Sequence, residues 1–335
     1  MMTSTAAVKE APRLKLGDRI DIIKNKRMFS LAFPLSILLF LIAVFGTATG
    51  GDFFKGIVLK GIFDQALIIG TMATAVSFIY TTGNLDISVG SVMGLGAVAG
   101  ALTYGATENI VLMILSAIMV SILLMLFNCT LSVVFNIKTT MVAVVVMQLY
   151  SAIISEIVGA DTLKVDFQIC KMLENGGFRY GAFIIYFILC LLVFHYTAVG
   201  RQLRFIGGNE KCARQTGMNP KRAIYISFLM AGIGVGIAAV FTIIRTGSVG
   251  NSTGNGMGMD VMLATVLGGM SIFGGAKSNT YSGIIGALTV SALNKGLLML
   301  GVSSTVIQGV RGVVFLLLVF LNSERPSTLP SREQF

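Results

Sequence analysis

The chain has 335 residues, of which 55% are hydrophobic and 12% are charged, and its mean hydropathy is +0.85. Soluble domains carry roughly 25% charged residues, so this composition excludes an ordinary soluble protein and indicates a membrane protein. The net charge of +10 does not indicate nucleic-acid binding, because the basic residues stand beside the apolar segments, where the positive-inside rule places them.

The first thirty residues form a polar stretch that carries seven Lys or Arg residues. The apolar run that follows has membrane length and lacks a small-residue cleavage site, so the stretch is not a signal peptide. We predict that residues 1–30 are a cytoplasmic tail that fixes orientation. A short amphipathic helix at the membrane interface, within residues 14–23, is the alternative for part of this tail.

Ten apolar segments follow the tail, and most have the length of about 20 residues that crosses a hydrocarbon core. The sequence therefore predicts an all-α, polytopic membrane helical bundle over residues 31–322. The eighth segment is short and glycine-rich, and the third could be a broken or re-entrant helix, so nine or eleven segments are alternatives. The predicted segments are residues 31–50, 61–81, 88–105, 110–135, 139–159, 180–198, 223–244, 259–273, 281–300 and 303–322.

The positions of Lys and Arg predict the orientation of the bundle. With an even number of crossings and the N-terminus inside, most of the 25 basic residues fall in cytoplasmic segments, as the positive-inside rule requires. Both termini are therefore predicted to be cytoplasmic, with residues 323–335 as a second tail. The stretches 160–180 and 245–258 are then expected at the external mouth, the second with irregular backbone that only protein or a water-filled cavity can surround at membrane depth.

The most basic internal segment is the cytoplasmic loop 200–222, GRQLRFIGGNEKCARQTGMNPKR. Attraction to anionic lipid would require only positive charge. This loop also holds an acidic residue, small residues and a glycine at fixed spacing. We therefore favour a short helix on the cytoplasmic face that offers Glu210, Ala213 and Gly217 to the groove of a soluble partner, with lipid binding as the alternative.

Polar residues within the apolar segments are candidates for a solute pathway, although hydrogen bonds inside a bundle explain many amides. Asp86 and Ser88 are also good N-cap residues for the third segment, so a structural role competes with a role in gating. Arg311, nearly halfway along the last segment, must be paired or must snorkel to the interface. The predicted pathway residues are Gln65, Asn84, Asp86, Ser88, Gln148 and Asn294.

Glycines recur at small-xxx-small spacing, notably at Gly90, Gly94 and Gly232, Gly236. This spacing is typical of closely packed membrane helices. None of the glycine motifs follows a predicted β-strand, so none indicates a nucleotide-binding loop. We expect tight helix packing at these positions.

Four stretches resemble, in order and spacing, the ribose-type permeases of bacterial ABC importers. The first is GNLDISVGS at 83–91, and the second is GNEKCARQTGMNPKR at 208–222, which is similar to the coupling loop of that family. The third and fourth are MDVMLATVLGGMSIFGG at 259–275 and LNKGLLMLGVSS at 293–304. The resemblance covers residues 55–322 and departs from the family pattern at Asn84, Cys212 and Lys277, which leaves the identity of the solute open.

The resemblance implies one half of a transmembrane dimer, with an identical or a different second permease subunit, in the bacterial inner membrane. Two cytoplasmic ABC ATPase domains would drive it, and an extracytoplasmic solute-binding protein would deliver a monosaccharide or sugar-like solute. This chain would be no enzyme and would bind no cofactor, since ATP and Mg²⁺ would bind the partner ATPase. The implied ATPase-coupling residues are Arg201, Arg204, Gly208, Asn209, Glu210, Ala213, Arg214 and Gly217.

Other classes of membrane protein remain as alternatives. An ion-coupled secondary transporter would normally show an intramembrane carboxylate relay or inverted repeats with broken helices, and only Asp86 and Glu156 are candidates for such a relay. A channel or a structural membrane protein would not need the Glu–Ala–Gly pattern of the loop. Within the ABC class, a permease for autoinducer-like or nucleoside solutes is a further alternative.

Overall fold

The computed structural model describes residues 27–175, 177–271, 274–276 and 278–322. The predicted N-terminal tail up to residue 26, with its possible amphipathic helix, and the predicted tail 323–335 lie outside the described residues. So does Lys277, one of the three departures from the family pattern.

Thirteen α-helices make up most of the described chain, together with one 3-10 turn at Asp52–Phe54. The first seven are α1 Arg27–Ala48, α2 Gly56–Thr81, α3 Val89–Thr107, α4 Ile110–Val134, α5 Thr139–Val158, α6 Phe167–Asn175 and α7 Phe178–Tyr196. The others are α8 Ala198–Gly208, α9 Glu210–Gln215, α10 Pro220–Thr246, α11 Met257–Leu267, α12 Ser282–Met299 and α13 Ser304–Asn322. Two short strands, β1 Leu163–Lys164 and β2 Ser248–Val249, pair antiparallel. The all-α prediction is confirmed.

Seven of these helices are long and apolar enough to cross a membrane, namely α2, α3, α4, α5, α7, α10 and α12. Three further helices, α1, α11 and α13, contain shorter apolar stretches. Each of the ten predicted segments coincides with one of these ten helices. The third segment is one continuous helix rather than a broken one, whereas the eighth, α11, has only 11 residues and ends at Leu267.

The core of the bundle is formed by α2, α3, α10, α11 and α12. Every residue of α2 from Ala66 to Thr81 is buried, and α2 packs against both α10 and α12. The outer helices α4, α5, α7 and α13 instead expose large apolar side chains, which suits contact with lipid. On α4 these include Val111, Leu115, Met119, Leu123 and Phe127.

Close helix packing at the glycines is confirmed. A Cβ atom built on Gly236 of α10 would lie 2.6 Å from the Cα atom of Ile118 in α4, and one on Gly232 would lie 2.8 Å from the Cα atom of Ile122. Real Cβ atoms do not approach other atoms so closely. The two backbones can therefore meet only because these positions lack a side chain.

The glycine-rich stretch before α11 lies deeper than the sequence predicts. A Cβ atom on Gly90, in the first turn of α3, would lie 2.6 Å from the amide nitrogen of Gly258 and 2.7 Å from the carbonyl oxygen of Gly254. One on Gly94 would collide with the carbonyl group of Thr253. Residues 253–258 therefore run along α3, and their predicted position at the external mouth is corrected. The start of the stretch is fixed by the pairing of β1 with β2.

Candidate functional site

The loop 200–222 folds into the two helices α8 and α9 and the first turn of α10. The Oδ1 atom of Asn209 accepts a hydrogen bond of 3.1 Å from the amide of Cys212 and so caps α9. Asn219 caps α10 in the same way, because its Oδ1 atom accepts a 3.3 Å hydrogen bond from the amide of Arg222. Pro220 follows in the first turn of α10, where a backbone N–H would have no partner within the helix. Gly217, with φ of +80°, provides the left-handed turn between the two helices.

The inner side of α8 and α9 packs on the bundle. Leu203, Ile206 and Ala213 are buried in one apolar cluster with Phe78 and Phe194. Ala213 is 0% exposed, so its side chain points into its own chain and is not offered to a partner, contrary to the prediction. It holds the short helix α9 in place.

The outer side of the two helices is polar. Glu210 and Arg214 are exposed and form an ion pair of 2.7 Å across one helical turn. Such an exposed pair contributes under about 1 kcal/mol, so a partner can replace it at little cost. Among the other predicted coupling residues, Arg201, Gly208, Asn209 and Gly217 are also exposed.

Arg204 differs from its neighbours, because it is folded back onto the bundle. Its Nη2 atom donates a 2.9 Å hydrogen bond to the carbonyl oxygen of Phe194 and lies 3.2 Å from Nδ1 of His195. The guanidinium carbon lies 4.5 Å from the ring centroid of Phe194, within cation–π range. Arg204 therefore anchors α8 to the bundle, whereas the resemblance implies a role in coupling to the ATPase.

A shallow cavity of about 350 Å³ opens beside α9. It is lined by Arg214, Gly217, Met218, Asn219, Pro220 and Lys221. The exposed carboxylate of Glu210 and this basic hollow together give the loop a shaped surface with both signs of charge.

The cap of α9 gives a measurable prediction. Asn209→Ala removes the acceptor for the Cys212 amide, which is expected to destabilise this six-residue helix by about 1 kcal/mol. Amide hydrogen exchange within residues 210–215 should then be roughly fivefold faster. Asn209→Asp keeps an acceptor oxygen and should exchange like the wild type. Equal exchange in Asn209→Ala and the wild type would show that the cap does not hold the helix.

Beneath α8, three backbones meet without intervening side chains. A Cβ atom on Gly207 would collide with the carbonyl group of Thr81, at the end of α2, and would lie 2.8 Å from the amide nitrogen of Gly275. That amide donates a 3.0 Å hydrogen bond to the carbonyl oxygen of Thr81. The last turn of α8 therefore touches both α2 and the chain between α11 and α12.

A first buried polar network surrounds the start of α3. The Oδ1 atom of Asp86 accepts from the amide of Ser88 at 2.8 Å and from its hydroxyl at 2.6 Å. Asn128 of α4 donates to the Ser88 hydroxyl at 2.8 Å, and Tyr150 of α5 donates to Asn128 at 2.9 Å. Asp86 and Ser88 are both 0% exposed.

This network holds the break between α2 and α3. Ser88 is the N-cap residue of α3, as predicted, but its side chain makes no capping bond and donates to Asp86 instead. Asn84 is half-buried and accepts a 3.1 Å hydrogen bond from Thr139. Within the described chain, Asp86 and Ser88 therefore face protein, which favours the structural role over direct passage of a solute.

A second network joins α11, α12 and α13 through Asp260, Asn294 and Arg311. The Nη1 atom of Arg311 lies 3.0 Å from Oδ1 of Asp260, and its Nε atom donates to Asn294 at 2.8 Å. Asn294 in turn donates to Oδ2 of Asp260 at 3.3 Å. Arg311 is paired, as one of its two predicted states requires. The sequence alone does not identify Asp260 as the partner, although an arginine in an apolar helix indicates that an acid lies nearby.

A third network lies at the predicted external end. Arg179, at the start of α7, is buried and its Nη2 atom lies 2.9 Å from Oδ1 of Asp64 and 3.4 Å from Oε1 of Glu174. Lys60 lies 2.8 Å from Glu174. The hydrogen bond from Lys60 lowers the pKa of the Glu174 carboxyl, and the positive charges of Lys60 and Arg179 act in the same direction. The ionised Glu174 side chain therefore stabilises the fold at neutral pH. This contribution is lost as the pH falls and the carboxylate becomes protonated.

The two remaining pathway candidates lie apart from these three networks. Gln65 is half-buried in α2, and Gln148 is exposed on α5. Of the six predicted pathway residues, only Asp86 and Ser88 are brought into direct contact, and Asn294 lies in a separate network.

The chain matches a protein family described as branched-chain amino acid transport system / permease component, over residues 58–319. Curated relatives include the fructose import permease of Rhizobium meliloti, 28% identical, which covers 81% of this chain and 79% of its own length. The ribose import permease of Escherichia coli K12 is 27% identical over 90% of this chain and 98% of its own. The galactofuranose transporter permease of the same strain is 25% identical over 90% and 92%. No solved structure matches.

Proposed function

The chain belongs to the family of permease components of branched-chain amino acid transport systems, and we propose that it imports a sugar. Its relatives include ribose, fructose and galactofuranose permeases that match most of both chains. They agree with the resemblance carried by the four motifs. We therefore propose a monosaccharide or a related sugar as the solute. The proposed location is the bacterial inner membrane.

The observation that carries the proposed mechanism is the construction of the loop 200–222. Its helices α8 and α9 are packed on the bundle through buried apolar residues and present Glu210, Gly217 and a basic hollow outward. A loop that only attracted lipid headgroups would need neither the buried inner side nor the acidic residue. We propose that two ABC ATPase domains bind this surface, one on each permease subunit of a dimer.

In this mechanism, the chain itself performs no covalent chemistry. ATP and Mg²⁺ bind the partner ATPases, whose closure and opening move α8 and α9. An extracytoplasmic binding protein delivers the solute at the other end. The bundle then alternates between outward-open and inward-open states, and the work comes from the differential affinity of the ATPases for these two states.

An ion-coupled carrier is the competing mechanism, and the buried acids argue against it. Asp64 and Asp260 each lie about one hydrogen-bond length from an arginine, so neither offers a free carboxylate. Asp86 is 0% exposed and its Oδ1 atom accepts from Ser88, while its Oδ2 atom has no hydrogen-bond partner among the described residues. Within the described residues these three acids belong to three separate networks rather than to one relay.

Retention of the ATPase tests the proposal. Glu210→Arg places a cation beside Arg214 and the basic hollow, and Gly217→Trp puts a large side chain on a glycine with positive φ. Each variant is expected to retain at least about tenfold less of the importer's ATPase subunit during co-purification, the equivalent of 1.4 kcal/mol. Sugar uptake should fall in parallel.

Glu156→Arg is the matched control, because Glu156 is an exposed acid near the C-terminal end of α5, outside the loop 200–222. It should keep the ATPase at the wild-type level. If both loop variants hold the ATPase and still transport, the loop is not the coupling surface. Membrane insertion of each variant is checked by its yield in the membrane fraction.

A further inference from the structure

Three of the exposed amide side chains that make no hydrogen bond lie on one side of the bundle. They are Gln148 of α5, Asn255 in the stretch before α11 and Gln308 of α13. Within the described part of the chain, none of the three side chains makes a hydrogen bond. An amide that faces lipid without a partner costs several kcal/mol in general. Some polar material therefore covers this side of the protein.

The three amides lie on neighbouring elements. The Ser91 hydroxyl of α3 is 3.2 Å from the Ser151 hydroxyl of α5. A Cβ atom on Gly94, one turn further along α3, would touch both Ile154 of α5 and the carbonyl group of Thr253. The stretch 253–256 thus lies beside α5 along the glycine face of α3.

The same stretch reaches α13 on its other side. A Cβ atom on Gly256 would lie 3.7 Å from Nε2 of Gln308 and 3.5 Å from Nη1 of Arg311. The order across the surface is therefore α5, the stretch 253–256 and α13. Gln148, Asn255 and Gln308 therefore lie on three adjacent elements, and these three residues are called the polar wall below.

The helical period groups the α5 part of this wall with the serine residues of the same helix. Gln148 and Ser155 are seven residues apart and thus only about 20° apart around the helix axis, on the side of Ser151 that adjoins α3. The exposed apolar side chains Val145 and Leu149 lie about 60° and 100° from Gln148 around the helix axis, whereas Val144 and Met141, which are also exposed, lie within about 40° of it. The amide of Gln148 therefore lies among exposed apolar side chains, none of which can satisfy its hydrogen bonds.

The α5 part of the wall also lies at membrane depth. Gln148 is nine residues from the first residue of α5 and ten from the last, which places it about 14 Å from either end of the helix. Neither headgroups nor bulk water reach this depth at a lipid-facing surface. Water in a passage, a solute or another protein surface must satisfy the amide.

The wall carries no free charge. Its three side chains are neutral amides, and the adjoining Arg311 is paired with Asp260 and bonded to Asn294. An amino acid entering such a passage would leave its ammonium and carboxylate groups without counter-charges at low dielectric. A neutral molecule with many hydroxyl groups can exchange its water hydrogen bonds for those of amides.

We infer that the polar wall formed by Gln148, Asn255 and Gln308 is the surface over which the solute crosses the membrane. This wall accepts uncharged, polyhydroxylated solutes and excludes amino acids, because their ammonium and carboxylate groups are charged. This inference rests on the proposed function and adds the location of the passage and the basis of its selectivity. Amide–hydroxyl hydrogen bonds exchange readily with water, so the wall binds weakly enough to release the solute on the other side.

The uptake test uses the assembled importer in proteoliposomes with labelled D-ribose, D-fructose and L-leucine as probes. Gln148→Leu, Asn255→Ala and Gln308→Leu each remove one amide. Each is expected to raise the half-saturating concentration of the transported sugar about three- to tenfold, the effect of one lost hydrogen bond. Leu149→Met, on the apolar face of α5, is the matched control and should transport like the wild type.

A labelling test locates the passage directly. Gln148→Cys, Asn255→Cys and Gln308→Cys are exposed in intact cells to a membrane-impermeant methanethiosulfonate, with the wild type as background. Three of the native cysteines are buried, and Cys212 lies in the loop on the predicted cytoplasmic side. The three new thiols should react, and saturating sugar should slow the reaction at least about threefold. Leu149→Cys should not react.

The outcomes separate this inference from the proposed function. Wild-type uptake of L-leucine and of neither sugar would overturn the proposed sugar import and the wall's selectivity together. Sugar uptake that is unchanged by all three amide variants would overturn the wall alone. If the three thiols are unreactive and the amide variants separate the two permease subunits on size-exclusion chromatography, the surface is a subunit interface and the inference is wrong.

Discussion

Arg311→Leu is expected to lower the free energy of unfolding by about 3–5 kcal/mol, because it leaves the buried carboxylate of Asp260 without its cation. Asp260 is 3% exposed at its side chain, and Arg311 lies 3.0 Å away. The same substitution also removes the donor to Asn294. Thermal unfolding of the purified subunit in detergent measures the loss, since a change of this size lowers the midpoint by several degrees.

The double variant Arg311→Leu with Asp260→Leu is the informative control. Replacing both members of a buried ion pair by apolar residues is often neutral or stabilising. We expect the double variant to recover most of the stability that Arg311→Leu loses. If the double variant is as unstable as the sum of the two single variants, the two side chains contribute independently and the ion pair does not connect α11 with α13.

The helices could be predicted well from the sequence because membrane length and apolar composition are local properties. All ten predicted segments coincide with apolar helices, and the largest departure is α11, which ends at Leu267 instead of 273. The Gly268-Gly269 pair follows that end, and Gly269 has φ of +89°. A positive φ at a glycine ends a helix, and composition alone places such an end poorly.

The partners of buried polar residues could not be predicted in the same way. Asp64 and Arg179 stand 115 positions apart in the chain yet form one ion pair. Which acid meets which base depends on how the helices are arranged and rotated, and neither property is encoded in a local pattern. The requirement for a partner can be predicted from the cost of burying a charge, but its identity cannot.

The loop 200–222 shows the same division. Its caps at Asn209 and Asn219 follow from local sequence, and both are present. The inward orientation of Ala213 and the contact between Arg204 and Phe194 depend on where α8 and α9 rest on the bundle. A motif therefore identified the surface, whereas the structure separates its exposed residues from those that hold it in place.

Gly207→Val is expected to abolish sugar uptake while the ATPase subunit still co-purifies. The added side chain collides with the carbonyl group of Thr81 and crowds the amide of Gly275, an overpacking that costs about 1–3 kcal/mol and forces α8 to shift. The outward surface around Glu210 stays intact, so a partner can still bind. What is lost is the direct contact of α8 with α2 and with the chain that leads into α12.

Gly105→Val is the matched control, because Gly105 is a helical glycine with no atom within 4 Å of the position of a Cβ atom. It should retain uptake and ATPase binding. If Gly207→Val transports normally, motion of α8 does not reach the bundle through Thr81. Loss of both uptake and ATPase binding would show instead that the contact serves to build the docking surface. Loss of uptake alone would show that this contact transmits the motion of α8 to the bundle, because ATPase binding at Glu210 and movement of α2 are then separate steps.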